Sequence, residues 1–343
     1  MRPIKVLVVE DSLVFRELLV QNLNKDPSIE VVAVARDPFE ARDAILAYRP
    51  DVMTLDVELP RMSGIEFLRK LMPQYPIPVV VISALSDKVF EALNAGAVDF
   101  VAKPVNTGRA QIEDFIHNEL SEKVKIASHV KVKNNKKTAM LQTVHQPPQL
   151  KDNNHIVAIG ASTGGTEAIF SVVKDFGPDI PGVVIVQHMP PGFTEMYAKR
   201  LDGQCRVKVK EACTGDRVMR GQVLIAPGGD KHMRLVKVNG VYQVECRQGP
   251  KVNGHCPSVD ELFHSVANVA GSNALGIILT GMGGDGAKGL LAMRKAGAQT
   301  IGQDESSCVV YGMPKVAYDI GAVKYQVKLD EIAKKAYTLL SKM

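Results

Sequence analysis

The sequence lacks tryptophan, has only 5% aromatic residues, and contains few cysteines, five in all. No two of these form the C-x-x-C pair that is typical of zinc and dithiol sites, and an odd number cannot all pair within one chain. The first apolar run, residues 4–9, is short and is interrupted by Lys5, so it resembles neither an export signal nor a spanning helix. We therefore expect a cytoplasmic protein with reduced thiols and no membrane insertion.

An excess of charge of one sign is confined to a single segment. The formal net charge is +5, but residues 121–151 hold seven lysines against one glutamate, which leaves about −1 for the rest of the chain. This segment has no aromatic side chain to stack on bases, and a Pro-Pro pair lies near its end. We predict a basic flexible linker at residues 124–151 between domains at 1–123 and 152–343, and we expect no nucleic-acid partner.

The first predicted domain contains five apolar runs with helical segments between them, at residues 4–9, 31–35, 51–55, 79–82 and 99–102. This alternation is typical of a parallel, doubly wound α/β sheet. In such a sheet the carboxyl ends of the strands share one edge, where ligands bind. Five polar residues follow these runs and are expected to converge there: Glu10, Asp11, Asp56, Ser83 and Lys103.

Three carboxylates beside one lysine are suited to a hard cation and a phosphoryl group. Magnesium prefers oxygen ligands and offsets the charge of a phosphoryl group on a carboxylate. Asp56 follows the third of the five runs and is the candidate acceptor, with Lys103 and the Ser83 hydroxyl placed to contact the phosphoryl oxygens. The alternative is that each acidic residue merely caps a turn or helix. This alternative is reasonable for any single residue, but it does not explain why all of them follow strand-like runs.

At these residues the segment resembles the receiver domain of two-component response regulators, through "VVED", "TLDVELPRMSG", "VIS" and "KP". The resemblance implies a flavodoxin-like fold that is phosphorylated at Asp56 and in which Ser83 and Lys103 act as switch residues. It also implies that Mg²⁺ is needed for this phosphorylation and is held by Glu10, Asp11, Asp56 and the backbone carbonyl of Glu58.

The second predicted domain begins with a strand-like run and a glycine-rich turn, "VAIGASTGG". A dinucleotide-binding turn would read G-x-G-x-x-G, but Ser162 stands where the second glycine is needed. The turn instead matches G-x-S-x-G, with Gly160, Ser162 and Gly164 between the strand and a helix that begins near Thr166. Such a turn presents a serine nucleophile at the edge of a sheet. The alternative is a serine that only caps the helix.

A base and an orienting carboxylate follow two further apolar runs. His188 directly ends the run at residues 182–187, and Asp285 follows the run at 276–280 by five residues. Both are expected at the same sheet edge as Ser162, where His188 can take the serine proton and Asp285 can orient the imidazole. Asp285 alone would be better interpreted as a turn residue. The chain order Ser, His, Asp differs from the Ser, Asp, His order of α/β-hydrolases.

The other histidines of this domain fit the role of base less well. His155 precedes its strand and so lies at the wrong edge, and His264 points away from the apolar face of a helix that begins with the capping box at residues 258–261. His232 and His255 remain possible substrate-loop residues. Between alternating segments, Asn239 and the following glycine predict a β-hairpin. We expect a doubly wound α/β/α domain with a mostly parallel sheet and this hairpin.

These residues resemble the catalytic domain of the CheB family of chemotaxis protein-glutamate methylesterases, through "IGASTGG", "QHMPPGFT", "RLD", "APGG", "PSVDELF" and "TGMGGDGA". The resemblance implies a serine hydrolase that removes glutamate methyl esters from chemoreceptors as methanol and deamidates selected receptor glutamines. It implies that Ser162 is the nucleophile, His188 the proton shuttle and Asp285 its orienting group. The backbone amides of Thr163 and Met282 would form the oxyanion hole, and ester hydrolysis would need no cofactor.

A receiver joined to an enzyme suggests control by population shift, in which the unphosphorylated receiver covers the active site. A chemotaxis histidine kinase would be the phosphodonor, and chemoreceptors the substrates. Two other classes remain open. One is a nonenzymatic, phosphoregulated ligand-binding module; the other is a transcriptional regulator, which the lack of a helix-turn-helix pattern and the near-zero charge outside the linker disfavour.

Overall fold

The computed structural model describes residues 2–84, 87–104, 107–130, 132, 150 and 154–343. The chain divides into two compact units, Met1–Met140 and Leu141–Met343. Most of the predicted linker, residues 131, 133–149 and 151, lies outside the described residues.

The first unit is a five-stranded parallel sheet with helices between its strands. The strands are β1 (Ile4–Val9), β2 (Ile29–Ala35), β3 (Val52–Asp56), β4 (Val79–Ser83) and β5 (Asp99–Ala102). The helices are α1 (Leu13–Leu23), α2 (Pro38–Tyr48), α3 (Gly64–Leu71), α4 (Lys88–Asn94), α5 (Arg109–Phe115) and, after a π-helical segment at Ile116–Leu120, α6 (Ser121–Ser128). The strand order β2-β1-β3-β4-β5 confirms the predicted flavodoxin-like sheet.

The last helix of this unit extends beyond the predicted domain boundary at residue 123. Val124 and Ala127 are fully buried in the same core as Leu19 and Val80. Burying these apolar side chains stabilises α6 against the sheet, so the helix continues to Ser128.

The second unit contains a seven-stranded parallel sheet and a separate hairpin. The sheet strands are β6 (Ile156–Ala161), β7 (Gly182–Gln187), β8 (Lys208–Glu211), β9 (Gln222–Ile225), β12 (Ala274–Ile278), β13 (Gln299–Gln303) and β14 (Tyr325–Val327). The hairpin strands are β10 (Lys231–Val238) and β11 (Val241–Gln248). The helices are α7 (Gly165–Val173), α8 (Phe193–Gln204), α9 (Val259–Val269), α10 (Ala287–Lys295), α11 (Met313–Asp319) and α12 (Ile332–Leu340), with short 3₁₀ turns at Gly271–Asn273, Glu305–Ser307 and Leu329–Glu331.

The predicted architecture of this unit is confirmed. Its sheet has the order β14-β13-β12-β6-β7-β9-β8, and each neighbouring pair is parallel. The hairpin turns at Asn239 and Gly240, which both have positive φ as a type I′ turn requires. Its inner residues Met233 and Leu235 pack into the core that α9 also fills.

The central strand β6 lies where the strand order reverses. The chain passes from β6 to β7 on one side and later returns to β12 on the other, which makes the carboxyl end of β6 a topological switch point. Close packing over this strand requires Gly160, because a Cβ there would lie 2.2 Å from Val259 Cγ1 of α9. Within the described ranges, no helix combines the length and apolar composition needed to span a bilayer.

Candidate active site

Ser162 lies in the turn between β6 and α7, at the switch point. Its backbone N–H donates to Thr280 O (3.0 Å), and its carbonyl accepts from the Gly165 N–H (2.7 Å), the first residue of α7. Gly164 has φ +74°, and a Cβ there would lie 2.6 Å from the Val309 side chain. The glycine therefore permits both the left-handed backbone and the close packing of this turn.

His188 emerges beside Ser162 from the neighbouring strand. Ala161 of β6 and Gln187 of β7 are register partners, so the residues that follow them leave the sheet side by side. Gln187 strengthens this arrangement, because its buried side-chain Nε2 donates to both Ser162 O (2.9 Å) and His188 O (3.2 Å). Among the described residues, Ser162 Oγ makes no hydrogen bond to the imidazole of His188.

His188 and Asp285 form a buried hydrogen-bonded pair. The distance from His188 Nε2 to Asp285 Oδ2 is 2.8 Å, and their side chains are 7% and 1% exposed. An ionised carboxylate only accepts hydrogen bonds, so Nε2 carries the proton. Nδ1 of His188 is buried and has no hydrogen-bond partner among the described residues. It is therefore the ring nitrogen that remains to accept a proton.

Four further donors hold the carboxylate of Asp285. Oδ2 also accepts from the Val259 N–H (2.7 Å), and Oδ1 accepts from Ser258 Oγ (2.7 Å), Asn253 Nδ2 (2.8 Å) and the Asp260 N–H (3.2 Å). The two backbone donors are the first N–H groups of α9, where a helix favours negative charge. Burial alone would raise the pKa of Asp285, but the hydrogen bonds from its partners outweigh this effect and hold the pKa well below its ordinary value.

Sequence reasoning missed Asn253 and the role of Ser258 in this network. Two signals in the sequence bear on them. Asn253-Gly254 is a strong turn signal, and Ser258 is the N-cap of the predicted capping box, where its Oγ also meets the Glu261 N–H. Neither signal indicates that the side chains reach Asp285, because that contact depends on how the loop folds over the sheet edge.

The other histidines of this unit differ in burial and in the residues that they contact. His232 is buried, accepts from the Ser258 N–H at Nδ1 (3.1 Å) and donates from Nε2 to Pro250 O (2.9 Å), so it supports the loop around Ser258. His264 is exposed on α9, as predicted. His255 stacks on His188, with ring centroids 3.8 Å apart and ring planes 13° apart.

Thr163 and Met282, the predicted oxyanion donors, lie on segments next to Ser162. Thr163 follows Ser162 directly, and its carbonyl accepts from Thr280 Oγ1 (3.0 Å). Met282 follows Gly281, where a Cβ would lie 2.7 Å from Ser162 Cβ. The segment before Met282 therefore passes directly against the serine, and these two backbone amides stay the predicted oxyanion donors.

The first unit carries an acidic cluster at the carboxyl edge of its sheet. Single carboxylate oxygens of Glu10, Asp11 and Asp56 lie within 4.8 Å of one another. Lys103 Nζ contacts Glu10 Oε2 (2.9 Å) and Asp56 Oδ2 (2.5 Å), and Ser83 ends the neighbouring strand β4. Burial raises the pKa of Glu10 to about 7, even though the Lys103 ammonium opposes the shift.

This cluster fits the donor set of a hard divalent cation. Three carboxylates supply oxygen ligands, and their mutual repulsion is only partly offset by one ammonium group. Asp56 Oδ1 accepts from the Glu58 N–H (2.8 Å), which fixes the loop that carries the predicted Glu58 carbonyl ligand. Arg16, which sequence reasoning missed, is buried and donates to the carbonyls of Glu10 (2.7 Å) and Asp11 (3.1 Å), so it orients the acidic pair.

Comparison with known families agrees with both units. A family model described as CheB methylesterase matches residues 157–336, and one described as response regulator receiver domain matches residues 6–113. The chain combines a receiver domain with a methylesterase-type α/β domain. It belongs to the CheB methylesterase family.

Individual relatives support this assignment over the whole chain. The chain is 60% identical over 343 residues to "Protein-glutamate methylesterase/protein-glutamine glutaminase 2" of Syntrophomonas wolfei, covering 100% of this chain and 99% of the relative. It is 47% identical to "Protein-glutamate methylesterase/protein-glutamine glutaminase" of Salmonella typhimurium, covering 99% and 98%. The crystal structure of the Thermotoga maritima CheB methylesterase catalytic domain matches with a TM-score of 0.53 at 38% identity, covering 55% of this chain and 99% of that one. Both predicted resemblances are confirmed, and the enzymatic interpretation is favoured over the ligand-binding alternative.

Proposed function

We propose that this protein hydrolyses glutamate methyl esters on chemoreceptors, releasing methanol, and deamidates selected receptor glutamines, under the control of phosphorylation at Asp56. The observation that carries the proposal is the buried His188–Asp285 pair, whose second ring nitrogen is unpaired, beside Ser162 at the switch point of the sheet. The relatives named above are methylesterases and glutaminases, which supports this substrate class.

In the proposed mechanism each of the three residues has one role. Ser162 Oγ attacks the ester carbonyl, and its proton passes to His188 Nδ1. Asp285 offsets the charge of the resulting imidazolium through Nε2. The oxyanion of the tetrahedral intermediate is stabilised by the backbone amides of Thr163 and Met282. When the intermediate collapses, methanol leaves with the proton from His188, and water then hydrolyses the acyl-enzyme. A glutamine substrate follows the same steps and loses ammonia.

The acidic cluster of the first unit provides the regulatory input. Asp56 accepts the phosphoryl group from a chemotaxis histidine kinase, and Lys103 and Ser83 contact its oxygens. Glu10, Asp11, Asp56 and the Glu58 carbonyl would hold Mg²⁺, which when bound offsets the negative charge that phosphorylation adds. Phosphorylation shifts the population of the protein from a less active to a more active form.

Methanol release from methylated chemoreceptor membranes tests the enzymatic part. The full chain is compared with Ser162→Ala, and with Ser272→Ala as a control, because Ser272 is exposed and precedes β12 at the opposite edge of the sheet. We expect release by the wild type and by the control, and none by Ser162→Ala. Mass spectrometry of receptor peptides tests deamidation in the same samples. Ser162→Ala that releases methanol at the wild-type rate would contradict the proposed nucleophile.

The regulatory part is tested with a small-molecule phosphodonor and Mg²⁺. We expect the donor to raise methanol release by the wild type and not by Asp56→Asn. Without the donor, Asp56→Asn should still release methanol, and this release should be lost when Ser162 is also replaced. Chelation of Mg²⁺ is expected to remove the stimulation without affecting the unstimulated rate. Equal stimulation of Asp56→Asn would show that phosphorylation acts at another residue.

A further inference from the structure

A tight turn carries both Asn253 and His255 to the active site. Val252 and His255 exchange two backbone hydrogen bonds, each 2.9 Å. The residues between them, Asn253 and Gly254, have φ values of +51° and +83°. Two successive positive φ values define a type I′ geometry, in which the direction of the flanking side chains is fixed by the turn.

The two side chains of this turn contact the two members of the His–Asp pair. Asn253 Nδ2 donates to Asp285 Oδ1 (2.8 Å) and to Asp260 Oδ2 (2.8 Å). The His255 ring lies parallel to the ring of His188 at a centroid separation of 3.8 Å. One four-residue turn therefore contacts both Asp285 and His188.

The stack supplies a restraint that the hydrogen bond of His188 does not. A bond from Nε2 to Asp285 fixes one ring nitrogen, but it leaves the ring free to tilt about that contact. A flat ring packed on the face of His188 fixes the plane of the imidazole, and with it the direction of the buried Nδ1. Because His255 meets His188 with the face of its ring and not with a ring nitrogen, it is not placed to exchange a proton with His188 directly.

We propose that His255 is a positioning residue, whose ring holds the plane of His188 so that Nδ1 faces Ser162. The proposal rests on the function proposed above. The flat ring, and not the nitrogen atoms of His255, is the required feature. The chain offers matched variants: His255→Phe keeps a flat ring, His255→Ala removes it, and His264→Ala removes an exposed histidine from α9.

The first measurement is the rate at which a fluorophosphonate labels Ser162 in the full chain. In this reaction Ser162 Oγ bonds to phosphorus, fluoride leaves, and the serine proton passes to His188, so no receptor is needed. Because small misplacements of a catalytic group cost up to about 100-fold, we expect His255→Ala to label about 10- to 100-fold more slowly. His255→Phe and His264→Ala are expected to label near the wild-type rate, and in methanol release His255→Ala should lower kcat without raising KM.

Two labelling results would overturn the proposal: His255→Ala that labels at the wild-type rate, or His255→Phe that labels as slowly as His255→Ala in a folded protein. Ring ¹⁵N NMR of His188 in a Ser162→Ala background gives a test that does not depend on catalysis. We expect one set of His188 signals with His255 or Phe present, and exchange-broadened signals in His255→Ala. Failure of the wild type to label Ser162 would refute the proposed function, whereas identical His188 signals in all variants would refute the positioning role alone.

Discussion

Replacing Asp285 with asparagine keeps the size of the side chain but turns one of its two acceptor oxygens into a donor. Both possible orientations of the amide bring its NH₂ group against existing donors. At the Oδ2 position it meets His188 Nε2 and the Val259 N–H. At the Oδ1 position it meets Asn253, Ser258 and the Asp260 N–H, and Asn253 already uses the same nitrogen to bond Asp260.

The first orientation leaves fewer donors without a partner. His188 can move its proton to Nδ1 and accept the amide at Nε2, so only the Val259 N–H stays unpaired. The second orientation leaves two donors without an acceptor, the N–H that Asn253 directs at Asp285 and the backbone N–H of Asp260, at about 1–3 kcal/mol each. The preferred orientation therefore leaves the proton on Nδ1, the nitrogen that accepts the proton of Ser162 in the proposed mechanism. We expect kcat to fall by about 10⁴-fold, the size of effect that a wrong tautomer has in a serine triad.

The variant is also expected to lose about 1–3 kcal/mol of unfolding free energy, because the Val259 N–H is left buried without an acceptor. The pKa of Asp285 is lowered in the folded protein, so its ionised form contributes stability that is complete above its ordinary value, about 4, and is lost as the pH falls through the folded value. The stability difference between wild type and Asp285→Asn should be constant above about pH 5 and should narrow below about pH 4.

Methanol release and urea denaturation across pH measure the two effects. Asp179→Asn is a matched control, because Asp179 precedes β7 at the opposite edge of the sheet and bonds Tyr337 Oη (3.1 Å). The control should keep the wild-type kcat. A folded Asp285→Asn protein whose kcat stays within about tenfold of wild type would show that Asp285 does not set the tautomer of His188.

Two further predictions test the packing of the second unit. Gly164→Ala should cost about 2–4 kcal/mol of unfolding free energy, because the alanine combines a strained left-handed backbone with a clash against Val309. Gly240→Ala is the control: Gly240 has φ +81° with open space around it, so alanine there should cost only about 1–2 kcal/mol. Equal losses of stability in urea denaturation would refute the clash. Tyr337→Phe removes the hydroxyl that accepts from the Gly177 N–H (2.7 Å), so it should cost about 1–3 kcal/mol of unfolding free energy and leave methanol release unchanged. A large loss of activity would show that α12 affects the active site.

The strands that position both sites were predictable from sequence because parallel strands buried on both faces form continuous apolar runs. The edge strands carry less of this signal. Lys208–Glu211 alternates exposed and buried residues, Tyr325–Val327 is only three residues long, and neither is fully buried. Hydrophobic patterning therefore locates the centre of each sheet better than its margins.

The residues that follow the strands were predictable for the same reason, since strand ends share one edge. The contacts of Asn253 and His255 were not. Both lie in a loop about 30 residues before Asp285 in the chain, and their contacts depend on how that loop crosses the edge of the sheet. Turn signals give the local shape of such a segment, but its place against the active site is set by tertiary packing.

The order of the strands explains how the carboxylate of Asp285 reaches His188 on the far side of Ser162. Ser162 follows the central strand β6, whereas His188 follows β7 on one side and Asp285 follows β12 on the other. The segment from β12 must therefore cross the Ser162 turn, and Gly281 allows this crossing because any side chain there would meet Ser162 Cβ. The amino end of α9 then fixes the carboxylate under His188. The glycine-rich loop between β12 and Asp285 is thus a requirement of the strand order, since it brings Asp285 past β6 to His188, which follows β7.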